Sequence, residues 1–193
     1  MFHPKVTVNE YQQKGKHFTF PDLTNTLCPH CRKDYLKKHG FYSRYFISKE
    51  FSGILFIRRH ICKCCGRTVS SIPYFCHPKR AYSIDFIIQV LKQYHSTTSS
   101  LKQTLERFYS YFGCSCSRQL LYQYRKRFYR NLNFLIMSFI KIFSLKETFM
   151  NCSDKERARQ LLSMIHPSDP TPCDVSMMLF LDNNSTYLTQ LAL

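Results

Sequence analysis

Two cysteine pairs of identical spacing, Cys28-Pro29-His30-Cys31 and Cys62-Lys63-Cys64-Cys65, lie either side of residues 32–61. A Cys-x-x-Cys turn aims two thiolates at one point, and two such turns brought together make the tetrahedral sulfur cage that Zn²⁺ favours. Cys28, Cys31, Cys62 and Cys65 are therefore the expected metal ligands, with Zn²⁺ as the cofactor. Gly66 directly after the second pair suits a tight knuckle in which the backbone turns with positive φ. Four thiolates close the coordination sphere, so the expected role of the metal is structural and no catalytic residue is assigned. Cys64, Cys76, His30, His60 and His77 also fall near the pairs. They are read as non-ligands, Cys64 because its neighbour Cys65 already ligates and Cys76-His77 because Pro73 sends the chain elsewhere.

The elements that must bring the pairs together are strands. Phe41–Ile47 and Ile54–Ile61 are rich in aromatic and β-branched residues, with His39-Gly40 read as a turn ahead of the first and Gly53 as a break ahead of the second. Arg67–Ser70 is a short third strand ended by Pro73. Residues 28–80 thus read as a small β zinc ribbon. Residues 1–27 read as an extended lead-in in which Val6–Val8 and Phe18–Phe20 alternate like strand edges.

After a basic linker at 76–81 the apolar period changes from two to about 3.6. Ser83 is the expected N-cap of a first helix carrying Ile84, Ile87, Ile88 and Leu91. Ser100 with Gln103 forms a capping box for a second, and Gly113 ends it. A third begins at Ser115 or Ser117, between which the sequence does not choose. Its apolar stripe, Leu121, Tyr124, Phe128, Leu132, Leu135 and Phe139, predicts one continuous helix. Residues 81–146 read as a helix-turn-helix domain, whose third helix enters the major groove. The fold class is α+β. Residues 147–193 read as a partly helical C-terminal tail, with a helix from Asp154 to Ile165, a linker over His166–Pro172 and an apolar run at Met177–Leu181.

Charge supplies the functional argument. The chain carries 28 Lys+Arg against 12 Asp+Glu, a formal net charge of +16. The excess lies in the ribbon and the three helices, while 147–193 is net acidic. A basic surface concentrated on two adjacent modules fits a polyanion. The candidate DNA contacts are Arg118, Gln119, Tyr122, Gln123, Lys126 and Arg130 on the third helix, with Lys37, Lys38, Arg58, Arg59 and Arg67 on the ribbon. Arg and Gln make bidentate contacts with guanine and adenine edges, whereas the ribbon cations suit phosphates. Two other readings compete: an RNA or single-strand binder stacking bases on Tyr42, Tyr45 and Phe56, and a zinc-stabilised protein adaptor. No Gly-rich phosphate loop or nucleophile motif argues for an enzyme. The longest apolar run, at Phe134–Met137, is far short of a membrane span. The absence of a signal-like start, with cysteines in metal spacing, points to a reducing cytoplasm.

The ribbon residues carry a resemblance. Cys28–Cys31, His39-Gly40-Phe41-Tyr42-Ser43-Arg44, Arg58–Ser70 and Ile72-Pro73-Tyr74-Phe75 resemble the N-terminal zinc ribbon of bacterial insertion-sequence transposases and related short bacterial proteins. The resemblance covers roughly residues 28–130. It implies a ribbon followed by a helix-turn-helix that binds transposon-end DNA, a nucleoid location, and a homodimer or a full-length transposase as partner. Such transposases continue into an RNase H-like domain with three metal-binding carboxylates. Asp154, Glu156, Asp169, Asp174 and Asp182 show no such arrangement, so the expectation is a transposon-associated DNA binder without its own catalytic domain.

Overall fold

The structure is a computed structural model and describes residues 5–96, 100–145, 152–166, 170–183 and 186–188. It is α+β, and the chain divides into two compact units with the boundary between Ser83 and Ile84.

The first unit is built on an antiparallel sheet of order β1-β2-β3, with β1 at Leu36–Ile47, β2 at Ser52–Cys62 and β3 at Thr68–Ser71. Sequence places the strands well but misjudges the start of β1. His39-Gly40 is not a turn. β1 runs through it, and the pairing register with β2 slips between Lys38 and Gly40. Gly40 has φ 125°, a conformation that L side chains rarely adopt, so the extra residue is absorbed as a β-bulge. Gly53 likewise lies within β2 rather than ahead of it. Strand alternation is thereby split. Phe46, Leu55 and Ile57 bury one face of the upper hairpin, while Leu36, His60, Cys62 and Val69 are buried at the other end.

The lead-in differs from expectation. Val8–Lys14 is a helix, α1, capped by Thr7, whose side chain accepts from the Glu10 N–H at 3.2 Å, and followed by a 3₁₀ turn over Gly15–His17. The cap and the Glu10–Lys14 ion pair favour helix locally. Tertiary burial of Tyr11 completes the choice: it is fully buried against Phe18, Phe20 and Phe75, and its hydroxyl donates to the Phe56 carbonyl at 2.7 Å. The Val6–Val8 and Phe18–Phe20 segments are therefore not strands.

The second unit is helical: α2 Ile84–Ser96, α3 Leu101–Phe112, α4 Arg118–Arg130, α5 Leu132–Phe143, α6 Asp154–Ser163 and α7 Pro172–Asn183. The Ser100/Gln103 capping box is present, Gly113 closes α3 in the left-handed region, and Ser117, not Ser115, caps α4. One expectation fails. The stripe from Leu121 to Phe139 is not one helix: Asn131 leaves the helical path and separates α4 from α5. Apolar periodicity survives such a break, because Leu132, Leu135 and Phe139 still face the core.

The described residues of 147–193 are also more than a tail. α6 and α7 both pack on α2, and Leu161, Leu162 and Ile165 are fully buried. The apolar run at Met177–Leu181 is helical, and Pro172 of the expected linker is the first residue of α7, where its missing N–H costs nothing. Pro167, Ser168 and Asp169 of that linker lie outside the described residues. Among the described residues no helix is long and apolar enough to cross a membrane.

Candidate metal centre and basic surfaces

Pairing of β1 with β2 sets Leu36 opposite Cys62 and so brings the two knuckles together. Each knuckle repeats one hydrogen-bond pattern. The N–H four residues on donates to the first cysteine's carbonyl, from Arg32 to Cys28 and from Gly66 to Cys62, each at 2.9 Å. The first cysteine's own N–H donates onward, to the carbonyls of Asp34 and Arg67 respectively, again at 2.9 Å. Gly66 has φ 68°, as its sequence position predicts, and Arg32 matches it at 54°.

The sulfurs of Cys28, Cys31, Cys62 and Cys65 all lie within 4.8 Å of one another, with Cys28–Cys65 and Cys31–Cys62 at 3.6 Å. A tetrahedron with metal–sulfur bonds of about 2.3 Å has edges of about 3.8 Å, so the cage is the right size for an ion such as Zn²⁺. Cys28 and Cys62 are buried and pack with Leu23, Leu36 and Val69 into the small core beneath the site. Cys64 is exposed and stands outside the cluster, as expected.

The first knuckle favours thiolates, and the second does not. The Lys33 N–H beside Cys31 lowers that thiol to about 6, and the Cys31 N–H lowers Cys28. The Cys65 N–H acts in the same direction on Cys62. Burial and the neighbouring sulfurs outweigh it and push Cys62 up to about 12. A bound cation removes that penalty by neutralising the shared charge.

On α4 the six expected contact residues, Arg118, Gln119, Tyr122, Gln123, Lys126 and Arg130, are all exposed. Leu121, Tyr124 and Phe128 are buried on the opposite side. Gln119, Gln123, Lys126 and Arg130 follow one another at steps of four, three and four, which aligns them as a single outward stripe. Arg125 is held apart from this stripe. Its guanidinium bonds the Tyr94 hydroxyl and lies over the Tyr94 and Tyr122 rings.

In the first unit Lys37, Lys38 and Arg67 are exposed, and Arg67 reaches the His30 ring at 3.3 Å. Arg58 and Arg59 are half-buried and lie over Phe41 and Tyr42 at 4.8 and 5.5 Å. Of the proposed stacking aromatics, Tyr42 is thus covered by Arg59 and Phe56 by Lys16 at 4.7 Å, leaving Tyr45 exposed.

One feature escapes the sequence reading altogether. A cleft of about 190 Å³ opens between the lead-in and the sheet, with Lys16 and Asp22 on one side and Lys38, Arg58 and His60 on the other. No local pattern marks it, since its two walls meet only through tertiary packing.

Residues 28–108 match a family model described as a domain of unknown function (DUF6431). The matched segment begins at the first metal-site cysteine and takes in all three strands and α2. It stops within α3, before α4. No curated protein and no solved structure matches the chain.

Proposed function

We propose that the protein is a zinc-dependent, double-stranded DNA-binding protein of transposon-associated type, acting by recognition and not by catalysis. In this reading the ion at the four cysteines is Zn²⁺, holding a ribbon too small to stabilise itself by burial. Arg118, Gln119, Tyr122, Gln123, Lys126 and Arg130 meet the duplex from the third helix of a helix-turn-helix. Lys37, Lys38, Arg58, Arg59 and Arg67 bind phosphates.

The observation that carries the reading is the outward stripe on α4. It is exposed along its length, free of acidic residues, and opposite a buried apolar face. A helix in the major groove needs such a surface, and Gln and Arg supply the paired donors and acceptors that read base edges. The resemblance of the ribbon to insertion-sequence transposases gives the transposon association.

The test is duplex binding by the zinc-loaded full chain across a salt series. Affinity should fall by roughly 0.9 log units per log unit of salt for each phosphate neutralised. Arg118→Ala with Gln123→Ala should erase preference for a selected site over random duplex, while Lys37→Ala with Lys38→Ala should weaken both alike. Equal losses from the two double variants would reject the role of α4. Preference for single-stranded RNA over duplex would reject the duplex reading itself.

A further inference from the structure

The bulge in β1 has a chemical result. Lys38 and Phe41 are an odd number of residues apart and in a regular strand would point to opposite faces. The extra residue between Lys38 and Gly40 puts them on the same face, where Lys38 pairs across to His60 and Phe41 to Arg58. These two cross-strand pairs form the floor of the 190 Å³ cleft. The lead-in forms its wall, with the Phe20 ring edge-on to Phe41 at 5.6 Å and Lys16 and Asp22 at the rim.

Three cations and one carboxylate line this space, so its net charge is positive. Asp22 is already engaged, accepting from the Thr24 N–H at 3.0 Å. His60 is 1 % exposed, yet its Nδ1 has no hydrogen-bond partner among the described residues. A buried polar atom left unpaired is costly, and a ligand in the cleft would satisfy it. The cleft is smaller than the sites that enclose whole drug-sized ligands, and its lining brings together Lys16, Lys38, Arg58 and His60.

We propose that this cleft is a phosphate-binding site. A phosphoryl group takes charge-assisted bonds from Lys16, Lys38 and Arg58 and a hydrogen bond from His60 Nδ1, while the Phe20–Phe41 edge accepts the sugar or ring attached to it. The phosphate comes either from a free mononucleotide or from the end of a nucleic-acid strand. The site shares Lys38 and Arg58 with the duplex reading but stands without it, because it lies wholly in the first unit.

The test uses the zinc-loaded full chain, titrated calorimetrically and followed by amide shifts of residues 16–22, 38–41 and 58–60. The probes are inorganic phosphate, a deoxynucleoside 5′-monophosphate, and the same nucleoside without phosphate. Phosphate and nucleotide should bind and shift these amides, and the nucleoside should not. A short oligonucleotide with a 5′-phosphate binding tenfold more tightly than its 5′-hydroxyl twin would assign the site to strand ends; equal binding of the two, with the mononucleotide retained, would assign it to the free nucleotide. Lys38→Gln with Arg58→Gln should weaken nucleotide binding at least tenfold, and Lys16→Gln alone, at an exposed position that leaves the fold intact, severalfold. Lys63→Gln, outside the cleft, and Arg118→Ala/Gln123→Ala, in the other unit, should leave it unchanged even if duplex binding is lost. Equal affinity for nucleotide and nucleoside, or Lys16→Gln and Lys63→Gln having the same effect, would overturn the proposal.

Discussion

Arg32 and Gly66 occupy equivalent places in the two knuckles. Each follows the first cysteine of its pair by four residues, donates its N–H to that cysteine's carbonyl at 2.9 Å, and has positive φ, 54° and 68°. The backbone demand is the same, but only one of the two residues meets it without a side chain.

Arg32→Gly should therefore stabilise the metal-loaded protein by about 1 kcal/mol, and Gly66→Ala should destabilise it by a similar amount. A Cβ at Gly66 meets nothing within 4 Å, so the second effect isolates the backbone term. Denaturant unfolding of both variants checks the pair; a loss of stability on Arg32→Gly would show that its side chain contributes more than its strained backbone costs.

Removal of the metal should unfold the first unit. Structural zinc sites of this kind contribute roughly 10–16 kcal/mol of apparent binding energy, more than a small sheet can replace. Cys31→Ser should abolish stoichiometric zinc in elemental analysis, with loss of the amide dispersion of β1–β3. Cys64→Ser should retain both. Zinc lost equally from the two variants would refute the four-cysteine assignment.

Acid should weaken the helical unit through His95. The residue is 4 % exposed, both ring nitrogens lack partners among the described residues, and Tyr94 and Tyr129 pack on its ring. Burial, followed by repulsion from Arg125 and Lys155, lowers it from 6.5 to about 4. Between those values the unfolded chain binds a proton that the folded chain does not. The stabilisation is thus complete above pH 6.5 and is lost as pH falls toward 4. Allowing for solvent screening the loss is about 2 kcal/mol. His95→Leu should flatten that part of the stability profile; an unchanged profile would place the sensitivity elsewhere.

Tyr11→Phe should cost about 1 kcal/mol, since it leaves the Phe56 carbonyl without its 2.7 Å donor while keeping the ring. Thermal unfolding of the metal-loaded chain measures it. No change would mean that water replaces the hydroxyl.

Much of this architecture is local and therefore legible. The cysteine spacing defines the metal cage, and Ser100 with Gln103 and Gly113 marks the ends of α3, because each signal acts within one turn of chain. α1 is missed because its case rests on Tyr11 finding Phe18, Phe20 and Phe75, contacts that no short window reveals. Asn131 is missed for the opposite reason: the apolar stripe is set by the core and continues across the break. The bulge reads as a turn because His39-Gly40 carries a turn's composition, and only pairing with β2 distinguishes the two. The α4 stripe is legible as a face, while Arg125, which shares its polarity, is drawn aside by Tyr94.

The opposition of Leu36 and Cys62 has a last consequence. Side-chain direction alternates along a strand, so a hairpin zipped one step out of phase would swing Cys62 to the far side and leave the cage a sulfur short. Only chains that have aligned their two long aromatic strands correctly can capture the ion, and capture then locks that alignment. An ion held by the four cysteines would thereby act as a proofreader of strand pairing, sorting the folded population.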